Sequence, residues 1–197
     1  MKGNAAIHFL KYLIKLDSAT TQTSTAERAA MASYLATSTS IIEIGVFEGF
    51  NTREFALLSP HEARIFAIDP FFKGFFGFNY GKFIALKEWQ KHGISHKIEI
   101  IEGFSWDVID QIPFGIDFIF IDGDHSFEGV KKDFELYSNL LSANGVIALH
   151  DARLFSNGWT KPNWGPVRLV EEIIKPSDEW KIVEEIDSLV LIKKQNT

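Results

Sequence analysis

Glu43, Asp69, Asp122, His150 and Asp151 each stand at the end of an apolar run, and His125 follows Asp122 closely. Such a set can do three things. A carboxylate accepts two hydrogen bonds from a vicinal diol, which suits Asp69 to a ribose-like group. Asp122 and Asp151 together offer oxygen ligands to a divalent ion. His125 or His150, beside those acids, is placed to take a proton from a hydroxyl as general base, since histidine titrates near neutral pH. Plainer uses exist for each: Asp69 closing a strand before Pro70, His125 starting a helix, His150 bonding to loop backbone. Asp124 and Ser126 are suited to cap a helix that begins at Phe127.

The elements that position these groups are legible as periodicity. The run Ile41-Ile42-Glu43-Ile44-Gly45-Val46-Phe47-Glu48-Gly49 reads as a buried parallel strand turning sharply into a helix beside a nucleotide-like ligand. The glycines permit the tight turn, and Asn51 or Thr52 is predicted to cap the helix from about Arg53. Strands are expected over 41–45, 64–69, 97–102, 116–122 and 146–151, with helices over 51–58, 79–92 and 127–142 between them. In the last helix Phe127, Val130, Phe134, Tyr137 and Leu141 share one face, and Asn144-Gly145 is predicted to supply a left-handed stop. This alternation implies right-handed crossovers and a parallel sheet. Two further strands, 180–186 and 189–193, have only Asp187-Ser188 between them and must form an antiparallel hairpin. Helices over 5–17 and 25–36 make residues 1–38 an amino-terminal extension of a single domain whose core runs over 40–195.

Composition narrows the function. The chain has 197 residues, 46% of them hydrophobic, and a formal net charge of -6. That is enough for a full core, and the acidic balance argues against a nucleic-acid or anionic-membrane partner. There is no cysteine, which excludes disulfides, thiolate metal sites and a cysteine nucleophile and fits a cytoplasmic protein. Lys11 and Lys15 break the apolar run near the amino terminus, so it reads as an amphipathic helix rather than a leader or a membrane span.

With these elements in place the chain resembles the class I S-adenosylmethionine-dependent methyltransferases, in the branch called the methyltransferase 24 group. The resemblance is carried by Glu43 to Gly49, Ala67-Ile68-Asp69, the segment Ile121 to Val130 and Leu149-His150-Asp151, and it spans about residues 40–195. It implies a Rossmann-like three-layer sandwich: a mostly parallel seven-stranded sheet ending in the hairpin. It implies that S-adenosylmethionine is the cofactor. Glu43 and Gly45 would hold its amino-acid end, with Gly49 lining the turn, and Asp69 its ribose. Gly103, Phe104 and Ser105 would border its adenine, with Trp106 either stacking on the base or packing internally, and Asp122 would complete the cofactor-binding set. In related small-molecule O-methyltransferases, acids at the positions of Asp122 and Asp151 hold magnesium. Here His150 stands where such enzymes usually carry another acid, and histidine suits zinc, manganese or iron better. The implied activity is methyl transfer to a small molecule, most naturally to oxygen. The rivals are a protein that binds S-adenosylmethionine without catalysis and an NAD-dependent oxidoreductase, although no G-x-G-x-x-G is present.

Two aromatic segments, Phe71–Phe78 and Arg153–Trp164, follow the second and fifth strands and are expected to cover the substrate. Phe75, Phe76, Phe78, Trp159 and Trp164 would line the pocket, or else serve internal packing or a homodimer contact.

Overall fold

The apolar runs assemble into one seven-stranded sheet in the computed structural model, which describes residues 5–74, 77–156 and 158–195. Phe75 and Phe76 lie outside the described residues. In chain order the elements are α1 (Ala5–Leu13), α2 (Thr25–Leu35), β1 (Ser40–Ile44), α3 (Phe50–Leu58), β2 (Arg64–Asp69), α4 (Tyr80–Lys91), β3 (Ile98–Glu102), α5 (Ser105–Val108), β4 (Ile116–Ile121), α6 (Phe127–Tyr137), β5 (Leu141–Leu149), α7 (Gly165–Leu169), β6 (Trp180–Ile186) and β7 (Leu189–Lys194). The strand order is β3-β2-β1-β4-β5-β7-β6. β1 through β5 pair in parallel, and β7 runs antiparallel to both β5 and β6. The expected mostly parallel sheet and terminal hairpin are both present.

Alternation along each strand builds two cores, one per sheet face. Ile42, Ile44, Phe66 and Ile68 point to the side where α6 contributes Val130, Phe134 and Tyr137. Ile41, Ile65, Ala67 and Phe118 point to the other, against Met31 and Leu35 of α2, Phe55 of α3 and Trp89 of α4. Strands buried on both faces read as continuous apolar runs for this reason. The amino-terminal helices are fastened differently. α2 carries a full capping box, Ser24 with Glu27. α1 lies on α4, with the Phe9 ring against Phe78, Tyr80 and Phe83 and the Tyr12 hydroxyl donating to Glu88 at 2.9 Å. Its outer residues Ile7 and Leu10 are exposed. Among the described residues no helix is long and apolar enough to cross a membrane.

Three local expectations need correction. The helix expected to reach residue 142 ends at Tyr137, and β5 already begins at Leu141. Asn144-Gly145 therefore lies inside a strand, within the register shift that separates the Ile116–Leu141 and Phe118–Val146 pairs, and Gly145 is not left-handed. α3 starts at Phe50 with Gly49 as its N-cap, so neither Asn51 nor Thr52 caps it. Beyond these three, α7 and the π-helical turn that continues it, Val170–Ile174, were not expected from periodicity. Pro166 at its first turn was the available signal.

Lys97, in the turn before β3, is buried and donates from Nζ to the carbonyls of Ala56, Ser59 and Pro60 at 2.7, 3.1 and 2.9 Å. It satisfies carbonyls that the end of α3 leaves open. Lys97→Met keeps the aliphatic stem and removes the donors, so unfolding stability should fall by about 2–4 kcal/mol. Urea denaturation of the two proteins checks this.

Candidate active site

The carboxyl ends of β1 to β4 open into a cavity of about 700 Å³. It lies where the chain switches direction across the sheet: β1 sits between β2 and β4, so successive connections leave for opposite faces and part beside it. Gly45, Asp69, Gly103, Phe104, Ser105, Asp122 and His125 line the cavity, as does Trp106. Glu43, Gly49, His150 and Asp151 are buried behind its wall. Thr20 and Thr21, from a linker that sequence shows only as a polar break, complete it on the amino-terminal side.

The turn after β1 is fixed by close backbone approach. Gly45 has φ +92°, and a Cβ there would sit 2.2 Å from the Asp122 carbonyl oxygen, so only glycine fits. Asp69 organises the same region. Its Oδ2 accepts from the backbone N–H of Val46 at 2.9 Å and Phe47 at 3.1 Å, and its Oδ1 from that of Phe71 at 2.6 Å. Phe47 and Phe71 are held in left-handed backbone, φ 53° and 41°. Such residues persist only where the surroundings enforce them, and the Asp69 carboxylate supplies part of that enforcement. Beneath the turn, Glu43 accepts a short hydrogen bond from the Thr52 hydroxyl, while its Oε1 has no partner. Burial, with Asp122 and Asp69 nearby, pushes its carboxyl well above the usual range. Asn51 accepts from Thr21 at 3.1 Å and Thr23 at 2.8 Å, tying the α1–α2 linker to α3.

At the β3 side, Phe104 and Trp106 stack with centroids 4.7 Å apart and planes 10° apart. Lys132 Nζ sits 4.7 Å over the Trp106 ring. Trp106 thus both packs internally and faces the cavity. Ser105 donates to Asp133 of α6, and the Tyr137 hydroxyl donates to the Ser105 carbonyl at 2.8 Å. Burial raises the Asp133 carboxyl to about 6.

The third wall joins acids and histidines. Asp122 Oδ1 lies 3.2 Å from His125 Nε2 and 3.0 Å from His150 Nδ1. His125 Nε2 is 3.8 Å from Asp151 Oδ2. His150 Nε2 faces Glu27 Oε2 at 3.4 Å without hydrogen-bond alignment. Glu27 itself accepts from Ser188 N and Oγ at 2.9 and 2.7 Å. Trp159, from the second aromatic segment, donates to Asp151 Oδ1 at 2.6 Å. Trp164 stacks on His125 with centroids 5.9 Å apart, and Gly165 N donates to the His125 carbonyl at 3.1 Å. Ser126 caps α6 as expected, whereas Asp124 does not cap the helix but accepts from the Ser126 backbone N–H and hydroxyl.

Electrostatics separates the two histidines. Burial alone would lower His150, but the Asp122, Glu27 and Asp151 carboxylates outweigh it and raise it to about 10. The His150 side chain is 0% exposed, so it is a buried imidazolium with a carboxylate beside each nitrogen. His125 is 38% exposed. Its hydrogen bond to Asp122 raises it above the ordinary histidine value against a smaller effect of burial. Of the two, His125 is the one on the cavity. The donor atoms of Asp122, His125 and Asp151 lie within 4.8 Å of one another. Both histidines flank the two acids, His150 from behind, with Nδ1 3.0 Å from Asp122 and 3.7 Å from Asp151, and His125, from the loop before α6, on the cavity side. Sequence reasoning missed the roles of Glu27, Thr52 and Asp133; each lies within a helix, where local pattern marks Glu27 and Thr52 only as capping residues and does not set Asp133 apart from a surface polar residue.

Comparison with known proteins identifies the family. Residues 42–152 match the family described as methyltransferase domain. The probable caffeoyl-CoA O-methyltransferase 1 of Dictyostelium discoideum is 31% identical over 167 residues, 79% of this chain and 69% of that protein. The R132 protein of Acanthamoeba polyphaga mimivirus is 30% identical over 115 residues, 56% of this chain, and the match spans only 50% of its own length. Among solved structures, the O-methyltransferase TomG of Streptomyces achromogenes, involved in tomaymycin synthesis and in complex with S-adenosylmethionine, superposes with a TM-score of 0.71. That alignment is 16% identical and covers 100% of this chain and 92% of TomG. With the matched segment spanning the β1 turn, Asp69 and the Asp122–Asp151 cluster, the chain belongs to the class I S-adenosylmethionine-dependent methyltransferases, in the methyltransferase domain family.

Proposed function

We propose that the protein transfers the methyl group of S-adenosylmethionine to a hydroxyl oxygen of a small, flat molecule. The carrying observation is a single cavity with two chemically distinct ends: Asp69, Ser105 and Asp133 at one, Asp122 and His125 at the other. The first end suits a nucleoside and the second a proton-bearing nucleophile. In this reading the acceptor oxygen attacks the sulfonium methyl in line; the new C–O bond forms as the C–S bond breaks, leaving a neutral thioether. Proximity and alignment do most of the work. His125 takes the hydroxyl proton. Asp122 holds its Nε2 side at 3.2 Å, leaves Nδ1 as the ring's acceptor and stabilises the imidazolium that forms. His150 is assigned a positioning role: its buried charge anchors Asp122. The Trp164 ring stacked on His125 favours a flat acceptor, and the name of the Dictyostelium relative points the same way.

A second reading has a specific observation behind it. Two carboxylates and one imidazole within 4.8 Å, from Asp122, Asp151 and His125, fit a divalent transition ion. An ion bound there would acidify the acceptor hydroxyl. The two readings separate on chelation. Titration calorimetry should first show S-adenosylmethionine binding and no NAD binding; the reverse would revive the oxidoreductase. Turnover against a panel of phenolic acceptors is then measured before and after dialysis against EDTA. Retained turnover is the result expected with His125 as base. Lost turnover restored by manganese or zinc would transfer His125 to the ligand set.

A further inference from the structure

Asp151 has a fixed backbone and a carboxylate held by the loop that follows it. Its backbone is left-handed, φ 53°, and is pinned on both sides. His150 N donates to the Ile121 carbonyl at 3.1 Å, and Ala152 N to that of Ser188 at 2.8 Å. Those bonds leave the side chain free to turn about Cα–Cβ. The carboxylate is 1% exposed, and both histidines stand outside hydrogen-bond reach of it, His150 Nδ1 at 3.7 Å and His125 Nε2 at 3.8 Å. The donor that does reach it is Trp159 Nε1, 2.6 Å from Oδ1. A buried carboxylate without a donor is costly, so this indole N–H decides where the carboxylate points. Oδ2 is the oxygen left facing His125.

Core packing does not account for the indole. Trp159 is 43% exposed, and among the described residues the cavity is lined by His125 but not by Trp159. The loop over 153–164 is nonetheless tied down to deliver it. Arg153 donates from Nη1 to the Asp187 carbonyl at 3.1 Å, and the Thr160 hydroxyl donates to the Arg153 carbonyl at 2.7 Å. The Phe155 ring meets Trp159 edge-on, with centroids 5.0 Å apart. At the far end a Cβ on Gly165 would sit 2.5 Å from the His125 carbonyl oxygen, so the backbone there lies flush against the loop that carries His125. The segment therefore grips both members of the cluster: Asp151 through Trp159 and His125 through Trp164. We propose that Trp159 is a positioning residue for methyl transfer, a role that rests on His125 being the base. By holding Oδ1 it keeps Oδ2 turned toward His125, where a second negative charge stabilises the imidazolium formed as the acceptor hydroxyl loses its proton.

Two substitutions separate the bond from the ring. Trp159→Phe keeps an aromatic ring without the N–H, and Trp159→Gln keeps an N–H donor without the ring. Acceptor kcat and KM and the calorimetric Kd of S-adenosylhomocysteine are measured on each, with thermal melts to confirm folding. Trp159→Phe should lower kcat by about 10–100-fold, the range for losing a hydrogen bond to a charged group, with KM and Kd within a few-fold of wild type. Trp159→Gln should recover most of that loss. The opposite order, or a loss carried by KM, would overturn the assignment and make Trp159 a cover for the acceptor. Full turnover in Trp159→Phe beside an inactive Asp122→Asn would overturn the assignment and leave His125 as base. Full turnover in Asp122→Asn, or none in the wild type, would remove the base itself and the assignment with it. NMR of the wild type reads the bond without a variant. The Trp159 indole proton should lie downfield and resist exchange although its ring is half exposed; free exchange would overturn the bond and the role built on it.

Discussion

Replacing Asp122 by Asn should lower kcat by about 10²–10⁴-fold, the range expected when a positioned proton-transfer group is disabled. One oxygen, Oδ1, holds His125 at 3.2 Å and His150 at 3.0 Å. The amide keeps the shape but not the charge. His125 then loses the partner that raises it and that would stabilise its protonated form during transfer. The metal reading predicts the same loss by removal of an anionic ligand. The variant therefore tests whether the cluster is catalytic at all, and chelation tests how. S-Adenosylmethionine affinity measured on the same protein keeps the two ends of the cavity apart: affinity within a few-fold of wild type, with turnover lost, places Asp122 at the acceptor end. Turnover that survives in both Asp122→Asn and Asp151→Ala would remove the acid–histidine cluster from the chemistry and leave a protein that binds its cofactor for another purpose.

Much of this site could be read from the sequence because parallel strands announce their own ends. β1, β2 and β4 are buried on both faces, so each is an unbroken apolar run, and the first polar residue after it must emerge at the ligand edge. Asp69 and Asp122 follow from that rule directly; Glu43, inside β1, and Asp151, second past β5, follow from its extension to every residue at a strand's carboxyl end. What the rule does not supply is depth. It treats His125 and His150 alike, yet His150 directly follows β5 and is buried, while His125 sits in the loop that enters α6 and reaches the cavity. The same rule places Glu43 on the cavity, although its side chain faces α3 and meets Thr52. The error at residues 138–145 has another origin. Helical spacing persisted through Leu141, but a 3₁₀ turn at Ser138–Leu140 redirects the chain, and Leu141 pairs with Ile116. Tertiary pairing overrode local periodicity. Glu27 was hidden most thoroughly: it is a capping-box glutamate by sequence, and only the fold brings Ser188 and His150 to it across more than a hundred residues.

The Glu27–His150–Asp122 arrangement carries the second large expectation, a decline of stability on the alkaline side that belongs to one histidine. His150 titrates near 10 in the folded protein and near ~6.5 when unfolded. Between those values the native state keeps a proton that the unfolded chain releases. The stabilisation is therefore complete below pH ~6.5, erodes as pH rises and is gone above about 10, a difference of a few kcal/mol. Glu27 and Asp122 act in the opposite window: burial opposes their ionisation, but His150 and their hydrogen bonds hold both below the usual carboxylate range, so their share is lost as pH falls. Glu43 and Asp133, raised by burial, also favour low pH, and Asp133, near 6, has finished titrating by pH 8. Comparing the wild type with His150→Gln from pH 7 to 10 isolates the histidine. The variant leaves three carboxylates facing one another, so it should be less stable by about 3–5 kcal/mol at pH 7. Its urea midpoint should also fall less steeply with pH, and the two proteins should converge toward pH 10. Parallel pH profiles would mean that His150 is neutral in the fold, and the cluster would then need another source of positive charge: a bound cation between Asp122 and Asp151 becomes the arrangement that electrostatics requires.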